Sequence, residues 1–227
     1  MTKLIRAEVY KLFHSLHLWL IGLAYLLLSS SLIPDYIRRG MSWFQSSIYV
    51  GWFFYFMLAA LATTMIGVEF DHGVVRNLVS AGNSRLNVFL AKTLVFVASG
   101  TMVILLPLLV HSLLGCLISG EAIDLKTMLL LIPSFMATCM PFLFLGFLFR
   151  DTGRTLGVGL ILFILKVISV NTPSIMKWAI YLPYGHRIQV YFGIFYDHLA
   201  DGFIIDIIWI VVFLIASYAA FRRCDLK

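Results

Sequence analysis

Residues Thr93 to Ile118 read TLVFVASGTMVILLPLLVHSLLGCLI, a run that contains no Asp, Glu, Lys or Arg. The hydrocarbon core of a bilayer is about 30 Å thick and takes about 20 apolar residues to cross as a helix, so this run is long enough to span it. The rest of the chain agrees. Of 227 residues 61% are hydrophobic and 12% charged, with a mean hydropathy of +0.97, whereas a soluble domain carries about 25% charge. The chain reads as an integral membrane protein.

Working outward from this run, five further apolar stretches stand at 17–33, 48–68, 127–149, 156–170 and 203–221. Six spans leave no room for a soluble catalytic or nucleotide-binding domain, and residues 1–227 are expected to form one all-α membrane domain. No GxxxxGKS/T phosphate loop, HExxH, GxSxG or CxxC pattern is present. If ATP drives this protein, a separate chain must hydrolyse it. Cys116, Cys139 and Cys224 are odd in number, and two lie inside apolar runs, which argues against a disulfide framework. The first apolar run ends at Pro34-Asp35 rather than at a small-residue cleavage site, so it reads as a retained span.

Basic residues near span ends remain cytoplasmic. With the N-terminus inside, eleven Lys and Arg fall on inner segments, five on outer ones, and Lys166 lies within the fifth span. Both termini are therefore expected in the cytoplasm. The net charge of +6 follows from this topology, and no aromatic-interleaved basic surface suggests a nucleic-acid partner.

Three segments outside the spans carry further information. In residues 2–15, Ile5, Val9, Leu12, Phe13 and Leu16 share one helical face while Lys3, Arg6, Tyr10 and His14 share the other. That pattern fits an elbow helix lying on the inner leaflet, or a plain positive anchor for the first span. Between spans two and three, Gly67 to Lys92 reads GVEFDHGVVRNLVSAGNSRLNVFLAK. Val74, Val75, Leu78 and Val79 form a short apolar face; Gly82-Asn83 breaks it; Ser84 is placed to cap the helix leading into span three. Such a stripe suits docking into a groove on a soluble partner, or packing against its own bundle. Residues 171–202 carry Trp178, Tyr181, Tyr184, Tyr191, Phe192, Phe195 and Tyr196, interrupted by Pro173, Pro183 and Gly185. They are too apolar for a solvated loop and fit two short re-entrant helices forming an outer gate, or an aromatic interfacial belt.

Taken in order, these three segments resemble the membrane subunits of ATP-binding cassette (ABC) exporters of the type-2 permease family. Ile5-Arg6-Ala7-Glu8-Val9-Tyr10-Lys11-Leu12 is similar to the family's opening helix. Glu69-Phe70, Gly73, Arg76-Asn77-Leu78, Ser84-Arg85 and Lys92 resemble its loop of an acid-aromatic pair, a glycine, a basic residue, a Ser-Arg pair and a lysine. Val75 departs from the threonine common there, but it keeps the helix face. The ending, Ala219 to Lys227, resembles the family's aromatic and basic tail. The resemblance implies a coupling segment over 69–92, a homodimer of permeases, and two ABC ATPase subunits that hold ATP and magnesium, with no cofactor on this chain. Compact permeases of this kind often belong to bacterial systems that export, or confer immunity to, antimicrobial or cytolytic peptides. The competing expectation is an ATP-independent secondary transporter or channel. That would need several intramembrane acids and usually inverted repeats, and only Asp206 is clearly embedded.

Charges within spans are costly and are functional candidates by default. Lys166 and Asp206 both fall in the outer half of the membrane, where they either pair or snorkel to the interface. His111 and His186 have no Cys, Asp or Glu at ligand spacing, so no metal site is expected. Pro107, Pro133 and Pro141 are placed to kink spans three and four.

Overall fold

The computed structural model describes residues 1–172, 181–182, 185–191 and 196–223. They form an all-α bundle, with no strand among the described residues. Six helices are long and apolar enough to cross a bilayer: α2 (Leu16–Arg38), α4 (Phe53–Asp71), α6 (Arg85–Ser119), α7 (Leu125–Phe149), α8 (Thr152–Asn171) and α10 (Leu199–Arg222). Four short helices flank them: α1 (Thr2–His14), α3 (Trp43–Val50), α5 (Val74–Ser80) and α9 (Gly185–Tyr191). The end of the bundle that holds α1, α5 and the last turn of α10 is called proximal below; the opposite end is distal.

Helix α7 is the axis of the packing and touches α4, α6, α8 and α10. Its core-facing side chains Phe135, Phe142, Leu143 and Phe147 are fully buried. In contrast, α2, α8 and α10 lie at the edge and present Leu20, Leu27, Ile164, Ile208 and Ile215 outward. Apolar side chains facing outward are what a hydrocarbon solvent permits, since lipid offers them as good a surrounding as the core does. Helix α6 has 35 residues and is about 50 Å long at 1.5 Å per residue, so it projects beyond a 30 Å core and carries its first turns into the proximal layer.

Local chemistry sets the boundaries. Ser84 caps α6 as expected, its Oγ accepting from the Asn87 N–H at 3.2 Å. Asp151 caps α8, accepting from the Arg154 N–H at 2.7 Å, so the fifth span starts at Thr152, earlier than its apolar run. Pro133 sits in the first turn after a break at Leu131, where its missing N–H has no helical partner to lose. Pro107 and Pro141 lie within helices, and α4 contains one π turn at Thr63–Gly67.

Two expectations change. The apolar stretch from 48 does not begin span two: Trp43–Val50 is a separate helix closed by a turn at Gly51-Trp52. Its start is a capping box, in which the Gln45 N–H donates to Ser42 Oγ (3.1 Å) and the Ser42 N–H donates to Gln45 Oε1 (3.3 Å). On α1 the buried face is centred on Glu8 and Leu12, while Val9 and Phe13 are exposed, as is Leu16 at the start of α2. The helix thus meets the bundle with one face and leaves its apolar stripe beside it.

Candidate functional site

Three elements bring four charges together at the proximal end. Lys11 Nζ donates to Glu8 Oε1 (3.1 Å) and to Glu69 Oε1 (2.6 Å). Lys92 Nζ donates to Glu8 Oε1 (3.1 Å) and also to Glu69 Oε2. The result is a closed ring of alternating sign that ties α1 to the end of α4 and the start of α6. Glu8 and Lys92 are buried, whereas the Lys11 side chain is 45% exposed. Two positive and two negative groups leave no net charge, which is the condition under which ions tolerate a poorly solvated site. Burial alone would lower the pKa of Lys11; its hydrogen bond to Glu69 and the charges of Glu69 and Glu8 outweigh this and raise it above the ordinary 10.5.

The segment after Glu69 is shaped by two glycines. Gly73 takes φ 67, a left-handed conformation that a residue with a Cβ rarely adopts, and so turns the chain from α4 into α5. Gly82 at φ 90 ends the α5 corner, which Asn83 closes by donating from Nδ2 to the Leu78 carbonyl at 2.9 Å. Just before this, the Asp71 carboxylate accepts the backbone N–H of Thr152 at 3.1 Å, joining the same segment to the start of α8. Phe70 enters an aromatic cluster, edge-on to Phe147 and Phe221 with ring centroids 6.2 and 6.3 Å away. Phe89 packs against Phe147, Tyr218 and Phe221 in the same cluster. Arg85 Nη1 donates to the carbonyl of Arg222 at 2.9 Å, so the last turn of α10 is also fastened here.

The residues expected to couple to a partner therefore divide by position. Glu69, Phe70 and Arg85 bind the bundle together, Gly73 makes the turn, and Ser84 caps α6. Val75 is fully buried, and Leu78 and Val79 pack against the same core. The apolar stripe of α5 thus faces inward, and it is not the surface left for a partner. Arg76, Asn77 and Ser80 form the outward face of α5, with the Arg76 guanidinium lying over Gly73.

Sequence reasoning met Glu8, Lys11 and Lys92 one at a time and did not join them. Glu8 and Lys11 stand three apart on one helix, a spacing that signals a local pair. No sequence signal linked them to Lys92, which lies 84 residues from Glu8.

At the distal end, Lys166 and Asp206 are both buried, on α8 and α10 respectively. Tyr181 is exposed, and its carbonyl accepts from Trp209 Nε1 at 2.9 Å. Trp178, Tyr184 and Phe195 lie outside the described residues, with 173–180, 183–184 and 192–195 of the expected re-entrant segment 171–202, as does the side chain of Tyr191. His111 is held between Ser30 Oγ at Nε2 and Ser47 Oγ at Nδ1, both at 2.9 Å. Among the described residues no group of three or more His, Cys, Asp or Glu could hold a metal ion.

A family model described as ABC-2 family transporter protein matches residues 4–182. No curated protein matches the chain.

Proposed function

The chain belongs to the ABC-2 transporter family and is a multi-pass membrane permease; we propose that it is the transmembrane half of an ATP-driven exporter in a bacterial plasma membrane. Two copies form the translocation pathway. Two separate ATPase subunits, which hold ATP and magnesium, dock at the proximal end. That end faces the cytoplasm in this reading, in keeping with the eleven basic residues that the sequence reading assigns to inner segments. The cargo is amphipathic or lipid-like, a peptide or an antibiotic, since the spans offer few polar groups to a hydrophilic solute. Export of such peptides, or immunity to them, is the physiological role that fits, and the distal aromatic segment around Tyr181 gates the exit.

The observation that carries the coupling is the seating of α5. Its apolar side is anchored through Val75, and its outer side offers Arg76, Asn77 and Ser80 to a soluble partner. A push on α5 passes along short rigid links: through Glu69 and Lys92 to α6, through Glu69 and Lys11 to α1, and through Asp71 to α8. These contacts make a partner's closure a rigid-body movement of several spans rather than a local deformation.

Arg76→Glu tests this without touching the buried side. The variant is expected to lose a co-purifying ATPase while keeping the unfolding midpoint of the wild type. Retention of the ATPase by the variant overturns the assignment of α5. Transport by wild-type protein in vesicles that contain no ATPase overturns the whole reading in favour of a secondary transporter or channel.

A further inference from the structure

Helix α1 gives one face to the charged ring and leaves two strips uncovered. Turning about its axis from the buried Glu8 and Leu12, the next strip is Val9 and Phe13, and the one beyond it is Arg6, Tyr10, Lys3 and His14, all exposed. Neither Lys3 nor Arg6 pairs with a carboxylate among the described residues. The apolar strip does not stop with the helix. Ser15 alone separates α1 from α2, and Leu16, Trp19 and Leu20 on the first turns of α2 are exposed as well. Trp19 Nε1 donates to the Phe13 carbonyl at 3.1 Å, which closes the corner and sets the indole beside the Phe13 ring, centroids 6.3 Å apart.

Whatever covers this surface must meet both strips. A soluble partner does not cover an apolar strip that runs on into a membrane span. A second copy of the chain supplies apolar surface but no spare acid: at its proximal end Glu8 and Glu69 are held in the ring, Asp71 accepts the Thr152 N–H, and Asp151 caps α8 and pairs with Arg154. A phospholipid leaflet offers hydrocarbon and headgroups at the two depths that neighbouring strips of an interfacial helix reach. An anionic headgroup adds the net negative charge that two unpaired cations call for and a zwitterionic one lacks. We propose that α1 and its corner with α2 are a docking surface for anionic phospholipid of the proximal leaflet, with Val9, Phe13 and Trp19 at its acyl region and Lys3 and Arg6 on its headgroups. On its other side the same helix presents Glu8 and Lys11 to the ring, so the lipid contact holds α1 against α4 and α6. The surface requires no ATPase and stands or falls independently of the transport reading.

Hydrogen exchange of the full-length protein in nanodiscs tests this, with discs of phosphatidylcholine alone or of phosphatidylcholine mixed with phosphatidylglycerol. Each Lys or Arg at an anionic surface is worth about a fivefold preference, so the α1 amides are expected to exchange about 25-fold more slowly in the anionic discs. Lys3→Gln combined with Arg6→Gln should bring the two rates together, and about 0.5 M salt should narrow the gap for the wild type. Both side chains are exposed, so the double variant is expected to keep the wild-type unfolding midpoint in detergent. Phe13→Gln should instead speed exchange in both kinds of disc alike. Equal wild-type rates in the two discs overturn the proposal, as does a difference that survives the double substitution. Protection in neutral discs that vanishes at one chain per disc also overturns it and places a second copy on this face.

Discussion

The two ends of the bundle are fastened by different chemistry. At the proximal end four full charges from α1, α4 and α6 close a ring, with Lys11 reaching solvent. At the distal end one link between α2, α3 and α6 is made of neutral groups. Ser30 Oγ gives its single hydrogen to the Leu26 carbonyl at 2.7 Å, so it can only accept from His111, whose Nε2 carries the proton. Nδ1 is then bare and accepts from Ser47. A few residues further along, the Trp43 N–H donates to Glu121 Oε2 at 2.9 Å and its indole N–H donates to Ser119 Oγ at 3.0 Å. The proximal link is made of full charges, two of them buried, and the His111 link of hydroxyl–imidazole bonds. The proximal fastening is the more brittle, because removing one member strands an opposite charge.

That contrast can be broken most directly at Lys92. Lys92→Met leaves Glu8 and Glu69 facing a site built for a cation, and loss of one partner from a buried ion pair costs about 3–5 kcal/mol. Thermal unfolding in detergent should show this loss, and adding Glu8→Gln should recover part of it. A loss below about 1 kcal/mol would put the ring among ordinary surface pairs.

The next effect is steric and distal. A Cβ on Gly115 would stand 2.6 Å from Cβ and 2.7 Å from Cγ of Trp43, so Gly115→Ala must push α3 away from α6. Overpacking of this kind costs about 1–3 kcal/mol. Hydrogen exchange should localise the change to α3 and leave the α1 amides protected as in the wild type. His111→Leu should cost less, about 1 kcal/mol, since single hydrogen bonds between membrane helices average about 0.6 kcal/mol. A His111→Leu variant as unstable as Lys92→Met would erase the distinction between the two ends.

How much of this was legible in the sequence depends on the range of the interaction. The six spans follow from hydropathy alone, and Gly82-Asn83 and Ser84 announce the break and cap before α6 because those signals act over a few residues. The start of α3 was equally local, but the Ser42 and Gln45 capping box is followed at once by apolar residues that merge with span two in a hydropathy reading. The stripe of Val75, Leu78 and Val79 was visible as a face, but periodicity does not say what covers it, and here its own bundle does. Glu8 enters the sequence reading only within Ile5 to Leu12, the stretch similar to the family's opening helix; that it is buried depends on Lys92 arriving from another span. Tertiary pairing of this sort leaves no mark on either local segment.

The smallest expected effect concerns pH and again separates the ends. Lys11 has a folded pKa raised above 10.5 by Glu69 and Glu8. A raised pKa means that the charged form is favoured by folding. Its contribution is therefore complete below 10.5, the unfolded value, and is lost only as pH climbs through the higher folded value. The difference in unfolding midpoint between wild type and Lys11→Met should stay constant from pH 8 to about 10 and shrink only in more alkaline solution. Lys11 is partly exposed, so the difference itself should be small and should fall with added salt. A difference that grows between pH 8 and pH 10 would mean that folding lowers the pKa of Lys11 instead of raising it. The ring would then be closed by Lys92 alone, and α1 would owe its position to Leu12 and to the Glu8–Lys92 pair.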